Sequence, residues 1–427
     1  MGLRILIIVD CYYPSPKSGA KLVHDLAIEL QKRGNEVVVL TPSEQASNDL
    51  ETSVEEGLVI ARVRTGRIKG AGRVWRAIEE AQLSGKLWWR AKRFLTQKRC
   101  DLILFYSPSI FFGPLVRKLK ALWKCPAYLI LRDIFPEWAV DAGLLRKGLV
   151  YHLFRRMETY QYETADLIAV QCPANLKYFA RAYPRKKFRL KVLYNWALLE
   201  VGDLPRTNYR SCLGLEKGFA FLYGGNIGIA QDMDNLVRLA ERMAWRADVH
   251  FVLIGCGSET ERLKGTVAAL SLRNVHILPA VGQSEYLSLV SEFDAGLLSL
   301  DARIRTHNIP SKLLGYLYWG LPVLASVNHG NDLFDVINRN RAGFCCVNGD
   351  HEEFLAAASR LVDEPELRCE MGKNARRLLE QTISASEAVE QIFRHFAEEG
   401  FTFKECSSAA PIRPNTIGSD TVFLSQS

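Results

Sequence analysis

No stretch of this 427-residue chain is apolar for the roughly 18–20 residues that a bilayer-spanning helix needs. Its longest apolar runs are short and strand-like, as in Ile5-Leu6-Ile7-Ile8-Val9. That first run is broken at Asp10 and leads to no small-residue cleavage site. No export signal is therefore expected, and the expected location is the cytoplasm. The ten cysteines form no C-x-x-C pair and no Cys/His cluster at zinc spacing. Most lie in or beside apolar stretches, where a free thiol packs as a small hydrophobe, so neither a disulfide framework nor a zinc module is expected. The loop after the first strand lacks G-x-G-x-x-G, which argues against a nicotinamide fingerprint, and no D-x-D with flanking strand signals occurs.

The charge that is present is unevenly placed. The net balance is +8. Between Arg62 and Arg99 twelve Lys/Arg stand against only Glu79 and Glu80, which suggests an anionic partner. From Val74 to Leu95, Trp75, Trp88, Trp89 and Phe94 alternate with Arg76, Lys86, Arg90, Lys92 and Arg93. Aromatic and basic residues mixed in this way suit an interfacial helix on an anionic membrane surface, with Ile110–Trp123 as a second contributor. An ordinary amphipathic helix is the alternative. No nucleic-acid-binding motif accompanies the charge, so nucleic acid is not an expected partner.

Continuous aliphatic runs bounded by helical periodicity alternate along the whole length, as in a parallel sheet covered on both faces. The first series includes Leu3–Val9, Glu36–Leu40, Asp101–Phe105, Pro126–Leu131, Asp166–Val170 and Leu190–Leu193. The second includes Phe219–Tyr223, Val249–Ile254, Val275–Leu278, Ala295–Leu300 and Pro322–Ala325. The fold class is therefore α/β, with two doubly wound, Rossmann-like domains. The expected boundaries are 1–198 and 209–382, with a linker at 199–208, a C-terminal helix at 383–404 returning to the first domain, and a disordered tail at 405–427.

Four constellations sit at strand ends, where such domains bind ligands. Tyr13-Pro14-Ser15-Pro16-Lys17-Ser18-Gly19-Ala20 follows the first strand, and Gly19 at a helix start permits close approach to a phosphate or sugar. Tyr223-Gly224-Gly225-Asn226-Ile227-Gly228 follows the second domain's first strand, again with glycines suited to a close ligand. His307-Asn308-Ile309-Pro310-Ser311-Lys312 leads into a helix, placing free amides and the Lys312 ammonium where an anion is favoured. Arg132-Asp133-Ile134-Phe135-Pro136-Glu137 offers two carboxylates for proton transfer or hydroxyl contacts, although Arg132 and Asp133 could instead form a structural ion pair.

Together these segments, with Tyr194-Asn195-Trp196 and Gly320-Leu321-Pro322-Val323, resemble the GT-B-fold retaining glycosyltransferases of family 4 over about residues 3–395. Among these, the similarity is to the bacterial enzymes of O-antigen and capsule assembly. The resemblance implies an acceptor-binding first domain and a second domain holding a nucleotide sugar, UDP-linked and N-acetylated, without metal or other cofactor. It implies a lipid-linked glycan acceptor and peripheral association with the inner face of the cytoplasmic membrane. Donor contacts then fall to Gly19, Gly225, Asn226, Asn308, Ser311 and Lys312. Asp133 is the catalytic candidate, and Glu137 and His307 are candidates for sugar or ribose contacts. Many family members carry two glutamates eight residues apart where this chain has His307 and Gly315, and a basic residue where it has Ile229. Lys312 would accordingly carry more of the diphosphate charge. A nucleotide-sugar epimerase of the same fold and a non-catalytic partner binding a lipid-linked sugar are the alternatives.

Overall fold

The computed structural model describes residues 2–15, 17–65, 82–304 and 307–403. The tail expected at 405–427 and residues 74–81 of the aromatic-basic segment lie outside the described residues.

The first domain is built on β1 (Arg4–Ile8), β2 (Glu36–Ser43), β3 (Leu50–Glu55), β4 (Leu58–Arg64), β5 (Leu102–Tyr106), β6 (Ala127–Ile130), β7 (Leu167–Val170) and β8 (Leu190–Val192). They order as β3-β4-β2-β1-β5-β6-β7-β8, parallel throughout except for the antiparallel β3–β4 hairpin at one edge. The second domain uses β9 (Phe219–Asn226), β10 (Val249–Cys256), β11 (Val275–Leu278), β12 (Ala295–Ser299), β13 (Val323–Val327) and β14 (Gly343–Val347), ordered β11-β10-β9-β12-β13-β14 and wholly parallel. The central strands are buried on both faces, which explains their unbroken apolar sequences. In both sheets the strand order reverses at the first strand of its domain. The crevices at the C-terminal ends of β1/β5 and β9/β12 are therefore the switch points where ligands bind in such sheets.

One apolar core runs through both domains, from Ile7 and Leu26 through Trp196 to Ile392, Leu298 and Leu313. Separate clusters cover the outer faces. The chain crosses between domains twice at one place, where the Ala197 amide donates to the Ile383 carbonyl and the Ala385 amide to that of Ala197. The helix Ala385–Glu398 then lies on Ser18–Lys32 of the first domain. Val389, Ile392 and Phe396 are buried there, each contributing about 1.5–3 kcal/mol by leaving water. The Trp196 indole donates to the Leu22 carbonyl, and Lys191 pairs with Glu398 and Glu399 at the rim.

Among the described residues of the basic stretch, three cations are paired within the fold. Arg62, on β4, pairs with Glu55 and donates to the Tyr13 carbonyl; Arg90 pairs with Asp49, and Lys98 with Glu36. On the helix Leu83–Gln97, Leu87 and Trp88 are buried in the outer core and Phe94 packs against it, while Trp89 is exposed. Trp88, expected to face a membrane, is thus a core residue, and Phe94 is partly buried against that core. The helix Gly113–Trp123 likewise turns Leu115, Val116, Leu119 and Trp123 inward. A periodic apolar stripe shows that a helix is amphipathic; here the sheet takes the stripe.

Candidate active site

Lys312 and the glycine loop after β9, 87 positions apart in sequence, meet at the second switch point (312 against 225). The Lys312 ammonium lies 3.6 Å from the centre of the Tyr223 ring. A Cβ placed on Gly225 would lie 3.4 Å from the lysine Cε and 3.8 Å from its Nζ. Gly225 has φ +122°, a conformation that side chains disfavour. Burial pushes the Lys312 ammonium down to about 7; the Tyr223 face is beside it and, among the described residues, no carboxylate pairs with it.

The loop before Lys312 is held from the other domain. The Ile309 carbonyl accepts from Gln171 Nε2 (2.8 Å) and Asn195 Nδ2 (3.0 Å), and the His307 carbonyl from Asn175 Nδ2 (3.0 Å). Asp332 accepts from the Ala174 amide at 2.6 Å. The Leu313 and Leu314 amides bond back to the Pro310 and Ser311 carbonyls, whereas the Ser311 and Lys312 amides have no backbone partner among the described residues. Lys312–Tyr318 is only seven residues long, so the charge here comes chiefly from the Lys312 side chain rather than from a helix dipole. Ser311 Oγ accepts from Asn195 Nδ2 at 3.5 Å, Asn308 is exposed, and Asn226 Nδ2 donates to Gln231.

His307 is partly buried, and its imidazole is held below its ordinary value by burial, against the pull of Asp332. Gly315 faces Tyr286 and Val290.

Across the cleft, Asp133 follows β6. Burial first, and the Asp10 carboxylate second, push it up to about 6, with Arg132 opposing. Arg132 and Asp133 form no ion pair. The guanidinium instead donates to the Leu193 and Tyr194 carbonyls (2.7 and 3.3 Å) and stacks over Trp196. This removes the structural pairing and leaves Asp133 without a salt-bridge partner among the described residues. Asp10, at the C-terminal end of β1, has a buried Oδ1 with no hydrogen-bond partner, and its Oδ2 is 3.6 Å from Lys17. Its position directly after the switch-point strand was the signal that motif reading passed over. Gly19 lies in the first turn of Ser18–Lys32, where a Cβ would stand 3.2 Å from the Tyr106 ring. The opening loop also touches the second domain, Tyr13 OH donating to Gln283 and Gln283 Nε2 to the Lys17 carbonyl.

Glu137 has partners of its own. It accepts from Tyr151 OH at 2.8 Å and pairs with Lys147 at 3.2 Å, contacts that together outweigh burial and hold its carboxyl below the usual range. It lines a cavity of about 550 Å³ with Lys147, Tyr178 and Arg181, closed on one side by Arg303 of the second domain. Among the described residues no group of three or more His, Cys, Asp or Glu is placed to hold a metal ion.

Two family models match in tandem: "Glycosyl transferase 4-like domain" over residues 19–196 and "Glycosyl transferases group 1" over 206–378. The chain is 24% identical over 240 residues to WbjE of Pseudomonas aeruginosa, named as a glycosyltransferase, covering 55% of this chain and 58% of that one. It is 23% identical to WcaI of Escherichia coli K12, named as a colanic acid biosynthesis glycosyl transferase, covering 61% and 65% respectively. The match thus spans less than two thirds of either relative. Solved structures share the fold: sucrose-phosphate synthase from Thermosynechococcus elongatus superposes with TM-score 0.71 at 16% identity, covering 93% of this chain and 100% of that one. Anabaena HepE in complex with UDP-glucose superposes with TM-score 0.65 at 14% identity, covering 92% and 99%.

Proposed function

Because the chain belongs to the GT-B glycosyltransferases of the family 4 type, with a 4-like domain followed by a group 1 domain, we propose that it transfers a sugar from a nucleotide diphosphate donor to a lipid-linked glycan in bacterial surface polysaccharide synthesis. The donor in this reading is UDP-linked and its sugar an N-acetylated amino sugar, transferred with retention of anomeric configuration. Supporting the polysaccharide role is the similarity to WcaI, named for colanic acid biosynthesis; supporting UDP is the complex of a structural neighbour with UDP-glucose. The lipid-linked acceptor would bring the enzyme to the cytoplasmic face of an anionic membrane.

The observation that carries the chemistry is the Lys312 ammonium beside Gly225. In the reaction the bond from the anomeric carbon to the diphosphate oxygen breaks, one to the acceptor oxygen forms, and the hydroxyl proton leaves. Charge develops on the departing diphosphate. Lys312 and the unpaired amides of Ser311 and Lys312 are preorganised to receive it, without a divalent metal. Gly225 and Asn226 would border the donor, with Asn308 beside the diphosphate and His307 near the ribose. Asp133, with a pKa of about 6, is suited to orient the acceptor hydroxyl or take its proton near neutral pH.

Incubating the protein with a panel of nucleotide sugars, and reading both thermal stabilisation and product, tests this reading. Stabilisation by a UDP-sugar with transfer to a polyprenyl-diphosphate-linked acceptor is the expected result. Interconversion of the donor without transfer would indicate an epimerase, and neither binding nor turnover would remove the donor site.

A further inference from the structure

Exposed apolar side chains gather at one place on the first domain. Leu144, Leu149, Val150 and Leu153 are 52%, 91%, 54% and 56% exposed. They occupy the loop before the helix Leu149–Thr164 and that helix's first turns. The helix is firmly seated on its other side, where Tyr151, Glu158, Gln161 and Tyr162 are buried. The outward apolar face is therefore not the result of loose packing. From Ala142 to Met157 there is no acidic residue, while Arg146, Lys147, His152 and Arg156 are exposed among the leucines and valine. Arg155 turns inward, to Glu158 and Tyr178, and Lys147, though exposed, pairs with Glu137. The helix has no acidic residue in its first turn, so its positive end adds to the cationic rim.

Contiguous apolar surface rimmed by charge marks an interaction site. An anionic bilayer fits both halves of the pattern, the apolar side chains entering the acyl boundary and the cations meeting lipid phosphates. A second copy of the chain fits poorly, since a two-fold contact through this patch would set its cations against their own symmetry mates. Lys147 also lines the 550 Å³ cavity, so the cationic rim of the patch and the cavity share a residue.

We infer that the segment 143–148 and the first turns of Leu149–Thr164 are the surface by which the protein docks on an anionic membrane. The inference rests on the proposed lipid-linked acceptor.

Flotation of the full chain with vesicles of phosphatidylcholine, alone or mixed with phosphatidylglycerol, provides the test. Wild type should bind the mixed vesicles preferentially. The triple variant Leu149→Ser, Val150→Ser, Leu153→Ser should lower partitioning by about tenfold or more, with its circular dichroism unchanged. Arg146→Glu with Arg156→Glu should weaken binding and flatten its salt dependence. Trp89→Ala should change partitioning by less than about twofold, since one indole on a helix whose Trp88 is buried and whose Phe94 packs against the core adds little apolar contact. Equal partitioning of the triple variant and wild type overturns the assignment, as does equal binding of wild type to neutral vesicles. So does self-association of wild type without vesicle binding. Transfer to a water-soluble acceptor, measured in parallel, should be unaffected by either variant. Vesicle binding lost in the variants, with no transfer by any protein, would leave the docking surface standing and remove the proposed reaction; transfer without vesicle binding would do the reverse.

Discussion

Replacing Lys312 perturbs the donor site at a single charge. The ammonium sits 3.6 Å from the Tyr223 ring centre, and burial lowers it from 10.5 to about 7. A donor diphosphate arriving beside it supplies the missing counter-charge, in a charge-assisted contact worth about 1.5–3 kcal/mol. Lys312→Ala should therefore lower kcat/KM for the donor by about ten- to 150-fold, at 1.36 kcal/mol per tenfold. The loss should fall more on kcat than on KM, because the leaving group's charge is greatest in the transition state. The pH profile separates this role from simple packing. Only the protonated lysine attracts the donor, so wild-type kcat/KM should decline as pH rises through about 7. Lys312→Arg stays charged, so it should recover only part of the activity but lose that alkaline decline. Donor kinetics across pH 5.5–9 (a range of about three to four units, wide enough to frame one titration) with excess chelator provide the assay. An alkaline limb that persists in Lys312→Arg, or unchanged kinetics for Lys312→Ala, would refute the reasoning; abolition of wild-type activity by chelator would assign the charge to a metal instead.

Asp133→Asn should reduce kcat by about 100-fold or more while the protein stays folded, as expected for loss of a positioned acid–base group. Its raised pKa means that the native state binds the extra proton between 3.8 and about 6, so Asp133 makes stability fall as pH rises through that window. Denaturant titrations should show that contribution absent in Asp133→Asn, and an unaltered turnover would end the catalytic assignment. For Lys312 the sign is opposite. The unfolded chain binds more protons between about 7 and 10.5, so stability rises with pH there, and Lys312→Met should flatten that rise in thermal melts without donor. Gly225→Ala forces a side chain into φ +122° and against the Lys312 stem. It should destabilise by about 1–3 kcal/mol and weaken donor affinity, both readable by calorimetry; a neutral outcome would mean that the loop can relax.

The architecture was legible in the sequence because its central strands are buried on both faces, and such strands are apolar without interruption. The β3–β4 hairpin was not. Half-exposed edge strands such as Leu50–Glu55 mix polar and apolar residues, and β4 ends in the arginines that read as free positive charge. Glycines and Lys312 at strand ends were visible as candidate ligand groups, since ends of parallel strands at a switch point face a crevice whatever fills the rest of the fold. What the sequence by itself determined is therefore local: which segments form strands and helices, and which polar groups stand at their ends. The tertiary structure decided proximity and exposure. It brought Lys312 to Gly225, turned Arg132 from Asp133 to the Leu193 and Tyr194 carbonyls, and drew Glu137 to Tyr151 and Lys147. It also buried Trp88 while leaving Leu149 in solvent. The apolar stripe on a helix records that some surface must be covered, but which stripe is covered depends on the element packed against it, and that neighbour is set by the topology of the whole chain.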